Sequence, residues 1–233
     1  SFPTRRSSDL SAVWFDTTRY ANRALADSPA TSATYANAVA LNGGTARFTG
    51  AGTITYSGAL TGTGNAVKSG AGDLLLTGSG SSLNGEIQVT AGRLLPANEA
   101  ALGGATVRVN GGRLSPPSGA DLTLSATPVV VSSGGFEVPA GRTLTLDGQV
   151  RGEGNVSKWG DGLLVLGGTA INTNSDLHVR GGLVELNKSG AATDYAVRHL
   201  IGIATNLTVK LTGSNGNQIG GGVTLDGGLL DLN

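Results

Sequence analysis

The chain has 233 residues, of which 39 are glycine and none is cysteine or methionine, and its sixteen basic residues balance sixteen acidic ones. This composition excludes a disulfide scaffold, a cysteine-ligated zinc site and a cysteine nucleophile. The lack of a basic excess argues against nucleic-acid binding. No apolar run is long enough for a transmembrane helix, so a folded chain with many turns and an aliphatic core remains.

The first segment, residues 1–10, resembles the in-frame translation of a short-read sequencing adapter. We expect it to be a non-native artefact rather than part of the fold; the alternative is a polar N-terminal tail. Residues 11–36 carry no repeat and are left unassigned, either as the end of an upstream coil or as a loop. The C-terminus falls inside a repeat, so we expect the sequence to be a fragment that continues beyond it.

Residues 37–233 contain a recurring pattern, apolar-x-apolar-x-x-Gly-x-apolar. Its copies begin at Ile87, Val107, Val129, Leu177 and Val223, with a weaker copy at Val39. The three wide gaps are about twice the two narrow ones, so each wide gap is expected to hide a degenerate copy. The average step is then about 23 residues, a period typical of repeat architectures.

The pattern itself predicts a short strand, a corner and a second strand, because alternating apolar residues face one side and glycine suits a corner with positive φ. Strands this short become stable only when stacked on neighbouring copies. We therefore predict an all-β, right-handed, single-stranded parallel β-helix of about nine coils. An antiparallel β-sandwich is the alternative fold, but it leaves the long period unexplained. The residues predicted to point inward are Ile87, Val89, Val107, Val109, Val129, Val131, Leu177, Val179, Val223 and Leu225, and the predicted corners are Gly92, Gly112, Gly182 and Gly228.

A second, longer repeat supports the first. The spacing Lys68-x-Gly70-x-Gly72-x-Leu74-x-Leu76 returns 90 residues later at Lys158-x-Gly160-x-Gly162-x-Leu164-x-Leu166. Each block continues into a copy of the strand–corner pattern. Together, over about 60–94 and 150–184, they resemble the passenger-associated transport repeat of bacterial autotransporters.

This resemblance implies a surface-exposed or secreted passenger of a Gram-negative bacterium that is exported by type V secretion, a virulence-associated class. The expected full-length chain has a C-terminal outer-membrane β-barrel. The implied function is a structural stalk that assists passenger folding and export and presents an adhesive surface. The implied partners are a host-cell surface, extracellular matrix or glycan, with no nucleic acid.

Parallel β-helices also include polysaccharide-active enzymes, which need convergent acid and base groups. Asp147, Glu153 and Asp161 are close in sequence and could gather on one side, although solvated turn carboxylates are the simpler interpretation. The outward position after the first residue of each copy, which includes Gln88 and Arg108, is expected to form no charge ladder. We therefore predict no catalytic, cofactor or metal site; an enzyme of this class, or a phage or surface fibre, is the alternative function.

The two histidines are candidate functional residues. His178 is expected on the exposed face of its strand, and His199 falls in 191–203, which could form a short lateral insertion. Two histidines so far apart without cysteine do not form a zinc site. Trp14 and Trp159 are too few for a sugar-stacking platform.

Overall fold

The computed structural model describes residues 24–28, 32–173, 176–202, 205, 207–214 and 216–232, and for 24–28 only the backbone. The predicted artefact at 1–10 and Trp14 lie outside these residues. Twenty-four short strands account for most of the regular structure, and the described helical part is one 3-10 turn, Glu99–Ala101.

The strands of the N-terminal half are β1 (Ala24–Ser28), β2 (Ala33–Tyr35), β3 (Val39–Leu41), β4 (Thr45–Gly50), β5 (Ile54–Tyr56), β6 (Leu60–Gly62), β7 (Asn65–Lys68), β8 (Asp73–Leu76), β9 (Ser82–Leu83), β10 (Glu86–Val89), β11 (Arg93–Pro96) and β12 (Thr106–Leu114). Those of the C-terminal half are β13 (Leu122–Leu124), β14 (Val129–Glu137), β15 (Thr143–Leu146), β16 (Val150–Gly152), β17 (Val156–Trp159), β18 (Leu163–Leu166), β19 (Asp176–Val179), β20 (Leu183–Leu186), β21 (His199–Gly202), β22 (Thr208–Leu211), β23 (Val223–Leu225) and β24 (Leu229–Asp231).

All described strand pairings are parallel, and each strand pairs with the equivalent strand one coil away. The predicted parallel β-helix of about nine coils is thereby confirmed, since an antiparallel sandwich would require antiparallel pairs. β1 and β2 pair with β4 and β5, so part of the unassigned segment 11–36 belongs to the solenoid.

Each coil contributes to three faces of the solenoid. The first face carries β3, β6 and β9, then the 3-10 turn, then β13, β15, β18, β20, β22 and β24. The second carries β1, β4, β7, β10, β16 and the first halves of β12 and β14. The third carries β2, β5, β8, β11, β17, β19, β21, β23 and the second halves of β12 and β14.

The coils advance by about 21 residues rather than the predicted 23. The difference arises because the copies of the pattern do not share one face. Val39 lies on the first face; Ile87, Val107 and Val129 stack on the second. Leu177 stacks between Val156 and Leu200 on the third. The copies therefore start on different faces, because the pattern describes any strand–corner–strand unit, whichever face it begins on.

The aliphatic core is one continuous cluster through the middle of the coils. Eight of the ten residues predicted to point inward, those from Ile87 to Val179, are buried. Val223 is instead 41% exposed, and Leu225 is only partly buried. Both lie on β23, and no further strand of the described residues stacks on that face beyond it.

The corners depend on glycine for steric reasons. Gly92 and Gly182 have φ values of +65° and +71°, which disfavour any side chain with a Cβ. At Gly112 the prediction needs a correction, because the positive φ of that corner falls on Gly111, and Gly112 continues β12 against Val89.

A buried lysine lies at the end of a strand or just after one on each face: Lys68 in β7, Lys158 in β17, and Lys188 two residues after β20. At most 1% of each lysine is exposed. Lys68 belongs to the second face, Lys158 to the third and Lys188 to the first. Lys68 Nζ donates to the carbonyl oxygens of Ser69, Gly70 and Ala91 at 3.1, 2.8 and 3.2 Å. All three ammonium donors are therefore used.

Lys158 repeats this arrangement at a different corner. Its Nζ donates to Gly160, Gly162 and Gly181 at 2.6, 2.6 and 2.8 Å. In both repeats one acceptor lies in the next coil, and a Cβ on Gly92 or Gly182 would contact the ammonium. The Lys-x-Gly spacing thus encodes a buried cation enclosed by corner carbonyls, which joins two coils.

Lys188 differs because its Nζ has no hydrogen-bond acceptor among the residues that the structure describes. Its main chain is held by the buried amide of Gln218, which accepts from Lys188 N at 2.8 Å and donates to Lys188 O at 3.0 Å. Burial lowers the pKa of Lys188 to about 8, against the opposing effect of Asp147 and Asp194. Burial also lowers the pKa of Lys158 to about 8.

Substituting Val179 by Asp should lower the free energy of unfolding by more than about 4 kcal/mol, because it places an unpaired charge in the core. Val165→Asp is the matched control, since Val165 points outward from β18. Urea denaturation of both variants measures the difference. Similar stabilities for the two would contradict the inward assignment of Val179.

Stability should rise with pH between about pH 8 and 10. The folded-state pKa of Lys188 and Lys158 near 8 lies below the ordinary value of 10.5, so the unfolded chain binds more protons in that window. Burial raises the pKa of Tyr56 to about 12, so above about pH 10 this residue makes stability fall as the pH rises. Thermal denaturation at about pH 7.5 and 9.5 measures the change.

Two variants distinguish the contributions of Lys188 and Lys158 to the pH dependence of stability. Lys188→Met should reduce the pH-dependent rise and keep or increase stability at neutral pH, because no hydrogen bond is lost. Lys158→Met should cost about 2 kcal/mol, because buried carbonyls lose their donor. Equal destabilisation by the two substitutions would show that Lys188 is also enclosed by acceptors.

Candidate ligand-binding groove on the third face

An open groove of about 500 Å³ runs along the third face. Its floor consists of small residues at the corners, namely Ala71, Ala91, Gly92 and Gly111, and its walls are Asp73, Arg93, Arg113 and Glu137. Asp73, Arg93 and Arg113 are register neighbours on successive coils, and Glu137 lies on the coil after them. The groove therefore follows the long axis of the solenoid across four coils.

The four charged side chains of the groove form one ion-paired chain. Arg93 binds Asp73 with two hydrogen bonds, at 2.8 and 2.7 Å, and its Nη1 donates to Glu137 Oε1 at 3.0 Å. Arg113 Nη1 donates to the other oxygen, Glu137 Oε2. Hydrogen bonding to Asp73 is the main cause of the raised pKa of Arg93, and the paired planar groups hold each other in fixed orientations.

Trp159 extends this chain toward the C-terminus. It is the register neighbour of Glu137 on the next coil, and the guanidinium of Arg113 lies 4.4 Å from its ring centroid. Arg180, on the coil after that, lies 5.9 Å from the same ring. Both distances fall within the range of cation–π interactions.

A second charged cluster lies on the second face, outside the groove. Arg108 pairs with Glu86 at 3.0 Å and with Glu153 at 3.2 Å, and Glu153 also accepts from Ser132 at 2.6 Å. At the outward position after the first residue of each copy, Gln88, Arg108 and Val130 are register neighbours and form no charge ladder, as predicted. The partners of Arg108 stand at other positions, which its long side chain reaches.

The structure separates the three carboxylates that could have gathered into an enzyme site. Asp147 lies between β15 and β16, Glu153 between β16 and β17, and Asp161 between β17 and β18. They occupy the three successive corners of one coil. Glu153 binds Arg108, whereas Asp161 acts electrostatically on Lys158.

The histidines belong to the third face. His199 is not part of a lateral insertion, because His199–Gly202 is strand β21, stacked between β19 and β23. Its Nδ1 lies 2.8 Å from Asp176 Oδ1. His178 points outward as expected but is only partly exposed, and its buried Nε2 has no hydrogen-bond partner in the part of the chain that the structure describes.

Sequence reasoning missed the groove, although a signal for it was present. Arg93 and Arg113 occupy the variable position between glycine and the last apolar residue of the pattern, as Gly92-Arg93-Leu94 and Gly112-Arg113-Leu114. Identical charges at that position in adjacent copies indicate an outward column. Glu137 could not be found in this way, because it lies two residues beyond the register neighbour of Arg113.

The described residues contain no group of three His, Asp or Glu side chains placed to hold a metal ion. Within the same ranges, no helix has the length and apolar character needed to cross a lipid bilayer.

Comparison with known proteins gives one partial similarity. A segment of 108 residues, 46% of this chain, is 32% identical to the protein named Adhesin BmaC autotransporter from Brucella suis biovar 1 (strain 1330). The chain spans about 3% of the length of that relative. No family model matches the chain, and no solved structure matches it. The β-solenoid and this similarity are consistent with an autotransporter passenger.

The groove should contribute little to stability. Arg93→Ala is expected to lower the free energy of unfolding by about 1 kcal/mol or less, because its ion pairs are partly exposed and screened by water and salt. Arg108→Ala removes an equivalent bridge between two carboxylates on the second face, and it should lower the free energy of unfolding by a similar amount. Denaturation in low and high salt measures both. A loss of several kcal/mol for Arg93→Ala alone would identify the groove as a structural element.

Proposed function

We propose that the chain is a structural segment of an autotransporter passenger, a stalk that is displayed at the bacterial surface or secreted and that presents a lateral face for adhesion. The observation that carries the proposal is the parallel solenoid formed by the described residues, combined with partial identity to a protein named as an autotransporter adhesin. The role in folding and export, and the outer-membrane location, follow from the same similarity and are part of the proposal.

The construction of the core supports a mechanical role. Each coil contributes main-chain hydrogen bonds to both neighbours and inward side chains to one cluster, so stability accumulates along the axis. The carbonyl oxygens that bind the ammonium groups of Lys68 and Lys158 add hydrogen bonds from one coil to the next. Such a column holds its lateral faces in fixed positions.

A non-enzymatic role is the second part of the proposal. A glycosidase needs one protonated acid and one separate carboxylate. The two carboxylates of the groove, Asp73 and Glu137, are instead both bound by the guanidinium of Arg93. This arrangement suits recognition better than proton transfer.

The proposal is tested by replacing the β-helical segment of a characterised autotransporter passenger with this chain. We expect the hybrid to reach the cell surface and to resist added protease as a folded unit, because the solenoid can continue the host's coils. Surface labelling and protease protection measure this. The matched control is the hybrid carrying Val179→Asp, which should lose protease resistance. Retention of the parent hybrid inside the cell would contradict the proposal.

A further inference from the structure

We propose that the third-face groove, lined by Asp73, Arg93, Arg113 and Glu137, binds a stretch of a neutral, linear oligosaccharide. This inference rests on the adhesive role proposed above and assigns it a site and a ligand class. The shape, the hydrogen-bonding capacity, the charge and the rigidity of the groove each support it.

The shape fits an extended chain rather than a compact molecule. The groove volume of about 500 Å³ lies within the range of small-ligand sites. Its four wall residues lie on successive coils, and three steps at the strand spacing of about 4.8 Å give a length of about 14 Å. A linear glycan presents hydroxyl groups at a comparable repeat and can lie along such a row.

Both hydrogen-bond donors and acceptors remain available in the groove. A guanidinium has five N–H donors, of which Arg93 uses three in its bonds to Asp73 and Glu137. Arg113 uses one of its donors, to Glu137. Each carboxylate has lone pairs beyond those that accept from the arginines. Sugar hydroxyls both donate and accept, so they match this mixed surface.

The charge of the groove argues for a neutral ligand. Two guanidinium groups are balanced by two carboxylates, and every charge already has a partner inside the groove. An acidic ligand on the remaining guanidinium donors would lie beside the carboxylates of Asp73 and Glu137, which repel it, and a basic ligand would lie beside the two arginines. A neutral polyhydroxylated chain can bind without repulsion and without breaking any of the three ion pairs.

The C-terminal end of the groove adds an apolar surface. Trp159 follows Glu137 on the next coil and is only partly buried, with Arg113 held against its ring. One tryptophan is too few for a stacking platform by itself, but its indole combines a large apolar face with one polar group and can add a contact to a sugar ring. Trp159 does not line the groove; it lies next to Glu137 and Arg113 and extends the surface at this end.

The groove is also rigid before any ligand binds. A Cβ on Gly92 would collide with the carbonyl oxygen of Gly72 beneath it, so the floor is packed against the coil below. The walls are held by hydrogen bonds between them. A preorganised site loses less conformational entropy on binding.

The experiment is a binding screen of the purified chain against immobilised neutral hexasaccharides (linear glucans, mannans, galactans and xylans) together with uronate-containing hexasaccharides. We expect at least one neutral member to bind, with an affinity that changes little between low and high salt. Arg113→Ala and Trp159→Ala should each weaken that binding about tenfold or more. Arg108→Ala, the matched bridge on the second face, should leave it unchanged.

The possible outcomes separate this inference from the proposed function. It is overturned if no neutral oligosaccharide binds, if only uronate-containing chains bind, or if the groove variants keep the parental affinity while remaining folded by thermal denaturation. None of these results affects surface display of the hybrid passenger. Failure of display together with groove-dependent binding would instead reject the stalk and keep the binding site.

Discussion

The structure depends on one constraint, namely that each strand stacks in parallel on the equivalent strand of a neighbouring coil. Parallel strands pair about 4.8 Å apart, so each residue position becomes a column along the axis. Inward-pointing positions are mostly apolar or hydrogen-bonded, because burying an unpaired polar group costs free energy; among the described residues the Nζ of Lys188 is an exception. Outward-pointing positions can hold charged side chains, and those on neighbouring coils then lie one strand spacing, about 4.8 Å, apart. The core, the corners and the groove all follow from this rule.

The buried lysines show how the rule accommodates a charge. Corner residues turn carbonyl groups toward the interior, and the ammonium groups of Lys68 and Lys158 use three such oxygens each. An acceptor from the next coil completes each cage, so the lysine links neighbouring coils in a way that an aliphatic residue does not. On the outer surface the same columns place Arg93 and Arg113 beside each other between two carboxylates.

The sequence predicted the fold class, the number of coils and most of the core, because alternation and corner glycines are local signals. It did not predict the register between coils. Val129 and Leu177 begin identical patterns, yet they lie on different faces. The number of residues per coil varies with the length of the corners, and the pattern around one strand does not show how far its position has shifted relative to earlier coils. The groove was missed for the same reason. Glu137 meets Arg93 from two coils away, and only the register brings these side chains together.

The most direct test of this account is disulfide formation between cysteines placed at Ser157 and His178, in a chain that has no cysteine of its own. These residues are register neighbours on the third face, so their Cα atoms lie within the range that a disulfide spans. Val130 and Arg151, neighbours on the second face, provide the positive control. The account predicts that both pairs cross-link in the folded protein. If all copies of the pattern shared one face, residue 178 would instead pair about three residues away from Ser157, roughly 10 Å along the strand. A folded double variant that cross-links at 130 and 151 but not at 157 and 178 would contradict the register on which the fold and the groove depend.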